Sequence, residues 1–216
     1  MPPSHSQQFK QLLSRLEQLK KTFLSLPPDT PGQYSEVAKD YARSYRVLVH
    51  AEVESFVRLR VDEIIKHALK LWREKKVPHQ VVVSMLACWN KNWSTDQETE
   101  IPFPNKDKKG NDDLSVDSLV NRAFKAYQEN VSKTYGIKQD DLENFLMPLG
   151  VHIKSADLGT TWLADIDNFG VQRGRVAHGG EVASRDISPD DEKQRMVSLL
   201  PGLEKLDAML NDLLQK

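Results

Sequence analysis

Residues 34–76, YSEVAKDYARSYRVLVHAEVESFVRLRVDEIIKHALKLWREKK, contain neither glycine nor proline, the residues that most often interrupt a helix. The stretch predicts one helix of about 60 Å, at about 1.5 Å per residue. Its apolar side chains occupy two faces, one with Tyr41, Tyr45, Leu48, Phe56 and Leu59 and another with Val47, Val61, Ile65 and Trp72. A helix that is apolar on two sides is normally surrounded by other helices. We therefore predict an all-α bundle with this long helix at its centre.

The sequence on both sides of this stretch also has helical periodicity. Ser115 is a plausible N-cap for a following helix, and Ser188-Pro189 with three acidic residues predicts a C-terminal helix over about 189–215. Nothing alternates with period two for long enough to predict a sheet. Residues from about 94 to 113 are polar and read as an insertion. We expect residues 1–216 to form a single helical domain.

Composition narrows the class of protein. The chain is 39% hydrophobic and 28% charged, with 30 basic and 31 acidic residues, so no general affinity for polyanions is expected. Cys88 is the only cysteine, which excludes a disulfide framework and a thiolate zinc site within one chain. The start of the chain lacks the pattern of a signal peptide, and no apolar run is long enough to span a bilayer. The expectation is a soluble, cytoplasmic protein that is not associated with a membrane.

Residues 168–180, NFGVQRGRVAHGG, place Arg173 five positions before His178 at the end of a predicted helix, which two glycines then stop. Arginine is a permanent cation that suits phosphate. Histidine exchanges a proton near neutral pH. These are the side chains that RNA cleavage without a metal requires.

The spacing of this pair does not by itself bring the two side chains together. Five residues of a regular helix turn a side chain by about 140°, so Arg173 and His178 would diverge, whereas Arg175 would face His178 better. Three arrangements remain open: Gly174 loosens the helix, His178 lies in an unwound last turn, or two chains pair across a two-fold axis. On spacing alone, a structural explanation is favoured, with His178 stabilised at the negative end of the helix and both arginines exposed.

Three blocks of sequence favour a functional explanation of the Arg–His pair over the structural one. They are 49–57 (VHAEVESFV), 135–150 (from Tyr135-Gly136-Ile137 to Met147-Pro148-Leu149-Gly150) and 162–179, which contains the Arg–His pair. Together they cover roughly residues 40–180 and resemble the HEPN superfamily, close to its RiboL-PSP-HEPN-like branch. The first block is similar to the acidic-small-aromatic signature of the family's second helix. The Arg-x4-His pair with Ala-His-Gly is the most specific of the three.

The resemblance implies a HEPN-type bundle that forms a two-fold homodimer and acts as a metal-independent endoribonuclease, without a cofactor. It implies a toxin or anti-phage role, tRNA or mRNA as the substrate, 2′,3′-cyclic phosphate products, and an antitoxin or defence protein as a partner. Arg173 would hold the phosphate, His178 would act as general base or acid, and Glu54 would be a supporting acid that orients one of them. Arg175 is assigned to RNA binding.

One difference from the family pattern supports an alternative function. The family often has asparagine or another polar residue directly after the arginine, and this chain has Gly174 there. The alternative is a catalytically inactive HEPN module that binds RNA, a nucleotide or a protein partner. Arg175 would compensate for the missing polar contact if the enzyme is active.

Three other features have two explanations each. Glu54 fits a structural salt bridge about as well as a site. His50 and Glu54, four residues apart, have the spacing of two metal ligands, but a surface pair on the helix is the simpler explanation. The basic residues between positions 58 and 76 fit an RNA surface or a solvated helix end.

Overall fold

The computed structural model describes residues 5–89, 115–153, 158–179 and 187–215. Over these ranges the chain forms helices and no β-strand, which confirms the all-α prediction. The helices are α1 (Gln7–Phe23), α2 (Glu36–Lys75), α3 (Gln80–Trp89), α4 (Val116–Lys133), α5 (Gln139–Leu146), α6 (Thr160–Gly179) and α7 (Pro189–Gln215), with a 3₁₀ turn at Met147–Leu149. The predicted insertion at 94–113 lies outside the described residues.

Helix α2 is the predicted long helix, and it lies at the centre of the bundle. It begins after Ser35, whose hydroxyl accepts a hydrogen bond from the Ala38 amide at 3.2 Å, and it ends at Lys76 in the left-handed conformation. It packs against α1, α3, α5, α6 and α7. Tyr45 and Phe56 of one predicted apolar face and Val61 and Ile65 of the other are buried. Tyr41 and Leu59 of the first face are exposed, so that part of the predicted pattern is wrong. None of the described helices combines the length and the apolar character needed to cross a membrane.

The predicted helix starts at Ser115 and Ser188 are also confirmed. The Ser115 hydroxyl accepts from the Ser118 amide at 3.2 Å at the start of α4. The Ser188 hydroxyl accepts from the Asp191 amide at 3.1 Å at the start of α7. Each contact satisfies an amide that has no partner within its helix.

Two buried ion pairs join α2 to α7. Arg46 donates to Glu192 at 3.1 Å, with side chains that are 6% and 1% exposed. Further along, Arg60 Nε lies 3.1 Å from Asp207 Oδ1, with both side chains 1% exposed. Asp207 also accepts from the backbone amide of Ser6 at 2.8 Å and from its hydroxyl at 2.5 Å. Because Ser6 is the N-cap of α1, the same network connects three helices.

A matched pair of glycine substitutions tests the packing of α6 against α7. A Cβ at Gly202 would lie 2.2 Å from the buried Trp162 ring, whose indole donates to the Leu199 carbonyl at 2.8 Å and cannot easily shift. We expect Gly202→Ala to lower the free energy of unfolding by about 1–3 kcal/mol. At Gly174 no described atom lies within 4 Å of the added Cβ. Gly174→Ala should therefore raise stability by up to about 1 kcal/mol.

The measurement is urea denaturation of both variants beside the wild type. Equal effects of the two substitutions would contradict the tight α6–α7 contact at Gly202.

Candidate functional site

Helix α6 carries the Arg–His pair and is continuous from Thr160 to Gly179, through Gly174. The backbone of His178 is helical as well, although its side chain lies outside the described part of the chain. The sequence allowed a loosened helix at Gly174 or an unwound turn at His178, and the structure has neither. On a regular helix, positions 173 and 178 lie about 140° apart around the axis.

The arginine of this pair faces α2. Phe169, one turn before Arg173 on α6, is 1% exposed, and its ring lies 5.7 Å from the ring of His50 on α2. Arg173 itself is half-buried, and its charge acts on His50. Arg175, by contrast, is exposed. The structure thus places Arg173 at the α2–α6 interface and Arg175 on the surface of α6.

His50 is the neighbour of Arg173 that the sequence did not identify. The pKa of His50 is lowered to about 4, mainly by burial and secondly by the positive charge of Arg173. Its ring is therefore neutral at pH 7. Its Nδ1 lies 3.9 Å from Glu54 Oε2, beyond hydrogen-bonding distance. The four-residue spacing of His50 and Glu54 indicated a pair on one helix face, but nothing in the sequence showed that this face meets Arg173.

Glu54 is mainly engaged by another residue of its own helix. Its Oε1 accepts from Arg58 Nε at 3.0 Å, and its side chain is 18% exposed. Arg58 also donates to the carbonyl oxygen of Val131 at 2.9 Å and to that of Thr134, at the end of α4. No ion pair joins Glu54 to Arg173 among the described residues. The structural salt bridge, one of the two explanations of Glu54 that the sequence allowed, is therefore present with Arg58.

Glu52 and most of the basic residues between positions 58 and 76 have partners in the structure. Glu52 lies 3.0 Å from Arg15 of α1, in an exposed ion pair. The basic residues of 58–76 with acidic or polar partners include Arg58 (Glu54), Arg60 (Asp207), Lys66 (Asp62), Arg73 (Asn121) and Lys76 (Asp117). Over the described ranges, no group of three or more His, Cys, Asp or Glu side chains is arranged to hold a metal ion. Five of the basic residues in this stretch therefore have partners in the structure, and two of them, Lys66 and Lys76, remain on the surface.

An open groove of about 460 Å³ lies beside the motif. Its lining is mostly apolar and consists of Phe23, Arg43, Ser44, Val47, Leu48 and Val176. Val176 is three residues after Arg173, so the groove adjoins the side of α6 on which Arg173 lies.

Comparison with known proteins identifies one family. The model of the family described as RiboL-PSP-HEPN matches residues 10–212, which is most of the chain and includes α2, α6 and the Arg–His pair. No curated protein matches the chain. No solved structure matches it either. On the extent of the family match and the all-α fold, the chain belongs to the RiboL-PSP-HEPN family.

Proposed function

We propose that this protein is a metal-independent endoribonuclease that works as a homodimer. The observation that carries the proposal is the state of Arg173. The buried arginines Arg46 and Arg60 and the half-buried Arg58 each contact a carboxylate. Arg173, by contrast, has no carboxylate partner among the described residues. A partly buried cation without a counter-ion is costly, and it suits an anionic ligand such as an RNA phosphate.

The chemistry needs few groups. RNA carries a 2′-OH beside each phosphodiester, so cleavage requires its deprotonation, stabilisation of charge on the phosphorane, and protonation of the leaving oxygen. Arg173 holds the phosphate oxygens through its planar fork. His178 transfers the proton as general base or acid. The products carry 2′,3′-cyclic phosphate ends.

The geometry of α6 supports a site built from two chains. Because Arg173 and His178 diverge by about 140° on a regular helix, one chain does not direct both side chains at one phosphate. Two chains related by a two-fold axis can place Arg173 of one protomer opposite His178 of its partner. Under this proposal the protein in solution has twice the 24.7 kDa mass of the chain.

His50 does not compete with His178 for the proton-transfer role. A pKa of about 4 makes its ring a weak base at neutral pH, whereas an effective general base has a pKa near the working pH.

The test is incubation of the purified protein with total tRNA and a generic RNA in EDTA. We expect cleavage without added metal and fragments with 5′-hydroxyl and 2′,3′-cyclic phosphate ends. An Arg173→Ala/His178→Ala double variant, purified in the same way, controls for contaminating ribonuclease. Cleavage that needs Mg²⁺, or fragments with 5′-phosphate ends, would contradict the proposal.

The biological setting is a further part of the proposal. A ribonuclease that cleaves tRNA or mRNA arrests growth, as a toxin or an anti-phage effector, and is held in check by a partner protein. Expression should arrest growth, and His178→Ala should relieve the arrest.

Gly174 favours a second candidate, an inactive module that binds RNA, a nucleotide or a partner protein. Because no described atom lies within 4 Å of a Cβ at this position, an asparagine fits there. If the missing polar contact limits the enzyme, Gly174→Asn should raise the rate of RNA cleavage about 2- to 10-fold, the value of one hydrogen bond. Gly174→Ala is the control, since it changes helix propensity without adding a polar group.

The measurement is the initial rate of cleavage of one RNA in EDTA by the wild type, Gly174→Asn and Gly174→Ala. An asparagine variant no faster than the alanine variant would contradict a role for that polar contact. Tight RNA binding without cleavage, in the wild type and in Gly174→Asn alike, would favour the binding module.

A further inference from the structure

The interface of α2 and α6 holds two buried polar atoms without hydrogen-bond partners. They are His50 Nδ1 and Arg173 Nε. Arg60 Nε also lacks a hydrogen bond, but it lies 3.1 Å from the Asp207 carboxylate and so has a counter-ion. Buried polar atoms in folded proteins nearly always have partners, so the two at this interface need an explanation.

The chemistry of the three side chains suggests how both atoms are satisfied. An ionised Glu54 carboxylate can only accept hydrogen bonds, and the Arg173 guanidinium can only donate them. A neutral imidazole has one donor and one acceptor. An imidazole between them therefore serves both groups only when its proton is on the nitrogen that faces the carboxylate, which is Nδ1 at 3.9 Å from Glu54 Oε2.

We propose that His50 is a positioning residue. A small shift of the side chains closes the 3.9 Å gap between its Nδ1 and Glu54 Oε2 into a hydrogen bond, and its Nε2 accepts an N–H from Arg173. This relay fixes the guanidinium and leaves its remaining N–H groups for the RNA phosphate. Its consequence for catalysis rests on the proposed ribonuclease function. The relay itself concerns only His50, Glu54 and Arg173.

The surroundings of His50 favour the neutral ring that the relay requires. The Arg173 cation and the apolar ring of Phe169, both on α6, favour the neutral ring. Glu54, on the same helix as His50, acts in the opposite direction and is outweighed. Glu54 is in turn fixed by Arg58, which is anchored to α4. Protonation of His50 would leave the ring with no acceptor for Arg173 and set two cations together. Burial and Arg173 accordingly lower the pKa of His50.

The first test needs no RNA. Nitrogen-15 NMR of the histidine rings in the intact protein, with His50→Gln for assignment, reports which ring nitrogen carries the proton. We expect His50 as the Nδ1–H tautomer at pH 7. We also expect its pKa to rise in Arg173→Gln, while burial of the ring still holds it below the unperturbed value of about 6.5. The Nε2–H tautomer, or a pKa that Arg173→Gln does not change, would overturn the relay.

The second test measures the effect on cleavage. Glutamine can both donate and accept, so His50→Gln should keep kcat within about 3-fold of the wild type, whereas His50→Leu should lose about 10- to 100-fold, because Arg173 is no longer oriented. KM for RNA should change little in either variant. Equal losses in both variants, or a loss in His50→Leu that only follows its unfolded fraction in a thermal melt, would contradict the positioning role.

The two tests separate this inference from the proposed function. If the wild type cleaves no RNA, the ribonuclease proposal fails, while the tautomer and the pKa of His50 still decide whether the relay exists.

Discussion

Asp207→Ala is expected to lower the free energy of unfolding by about 3–5 kcal/mol, because Arg60 loses its buried carboxylate and keeps only Glu63, which is 40% exposed, as a counter-ion. Arg60 is 1% exposed, and its remaining partners are Glu63 and Asn211, of which only Glu63 carries a charge. The substitution also removes both hydrogen bonds to Ser6, the N-cap of α1. Because folded domains are stable by only about 5–15 kcal/mol, this single change removes a large part of the stability.

Urea denaturation of Asp207→Ala and two further variants beside the wild type tests this prediction. Lys66→Ala is the control, since its ion pair with Asp62 is exposed and should matter by less than about 0.5 kcal/mol. The double variant Arg60→Met/Asp207→Leu should recover much of the loss, because it removes both buried charges together. An Asp207→Ala protein as stable as the Lys66→Ala protein would contradict the importance of this buried pair.

Arg173→Ala and His178→Ala are expected to remove nearly all RNA cleavage. Loss of the phosphate clamp should reduce kcat by about 10²- to 10³-fold, the usual effect of removing one group that stabilises charge in the transition state. Loss of the general base or acid should reduce kcat by about 10²- to 10⁴-fold. Arg173 is half-buried and pairs with no described carboxylate, so Arg173→Ala should not lower the melting temperature.

The matched control is Arg175→Ala, two residues along the same helix and exposed. If Arg175 binds RNA phosphate without taking part in the reaction, as we propose, Arg175→Ala should weaken RNA binding, which appears as a higher KM with kcat retained. Initial rates and thermal melts of all three variants provide the comparison. A kcat in Arg173→Ala or His178→Ala equal to that of Arg175→Ala would contradict the assigned roles.

The sequence predicts the helices of this protein well because each depends on neighbouring residues. The absence of glycine and proline from 34–76 predicted α2, whose observed range is Glu36–Lys75. The hydroxyls of Ser115 and Ser188 predicted the starts of α4 and α7. Apolar side chains on two sides of the 34–76 stretch also predicted that α2 lies at the centre of the bundle.

The partners of charged side chains could not be predicted in the same way, because they depend on how helices cross. Glu54 was expected to support Arg173 or His178, yet its observed partner is Arg58, which a four-residue spacing allows but does not require. The pairing of Arg60 with Asp207 joins distant parts of the chain. His50 was considered only with Glu54, because its position beside Arg173 follows from the contact of α2 with α6.

The most direct test of a site shared between two chains is RNA cleavage by a mixed dimer. Chains carrying Arg173→Ala and His178→Ala, with different affinity tags, are coexpressed, purified as the heterodimer and assayed in EDTA beside the wild type and both variant homodimers. The proposal predicts inactive variant homodimers and a heterodimer with about half the wild-type rate, because one of two composite Arg–His pairs is intact. A heterodimer as inactive as the homodimers, beside an active wild type, would contradict the shared site.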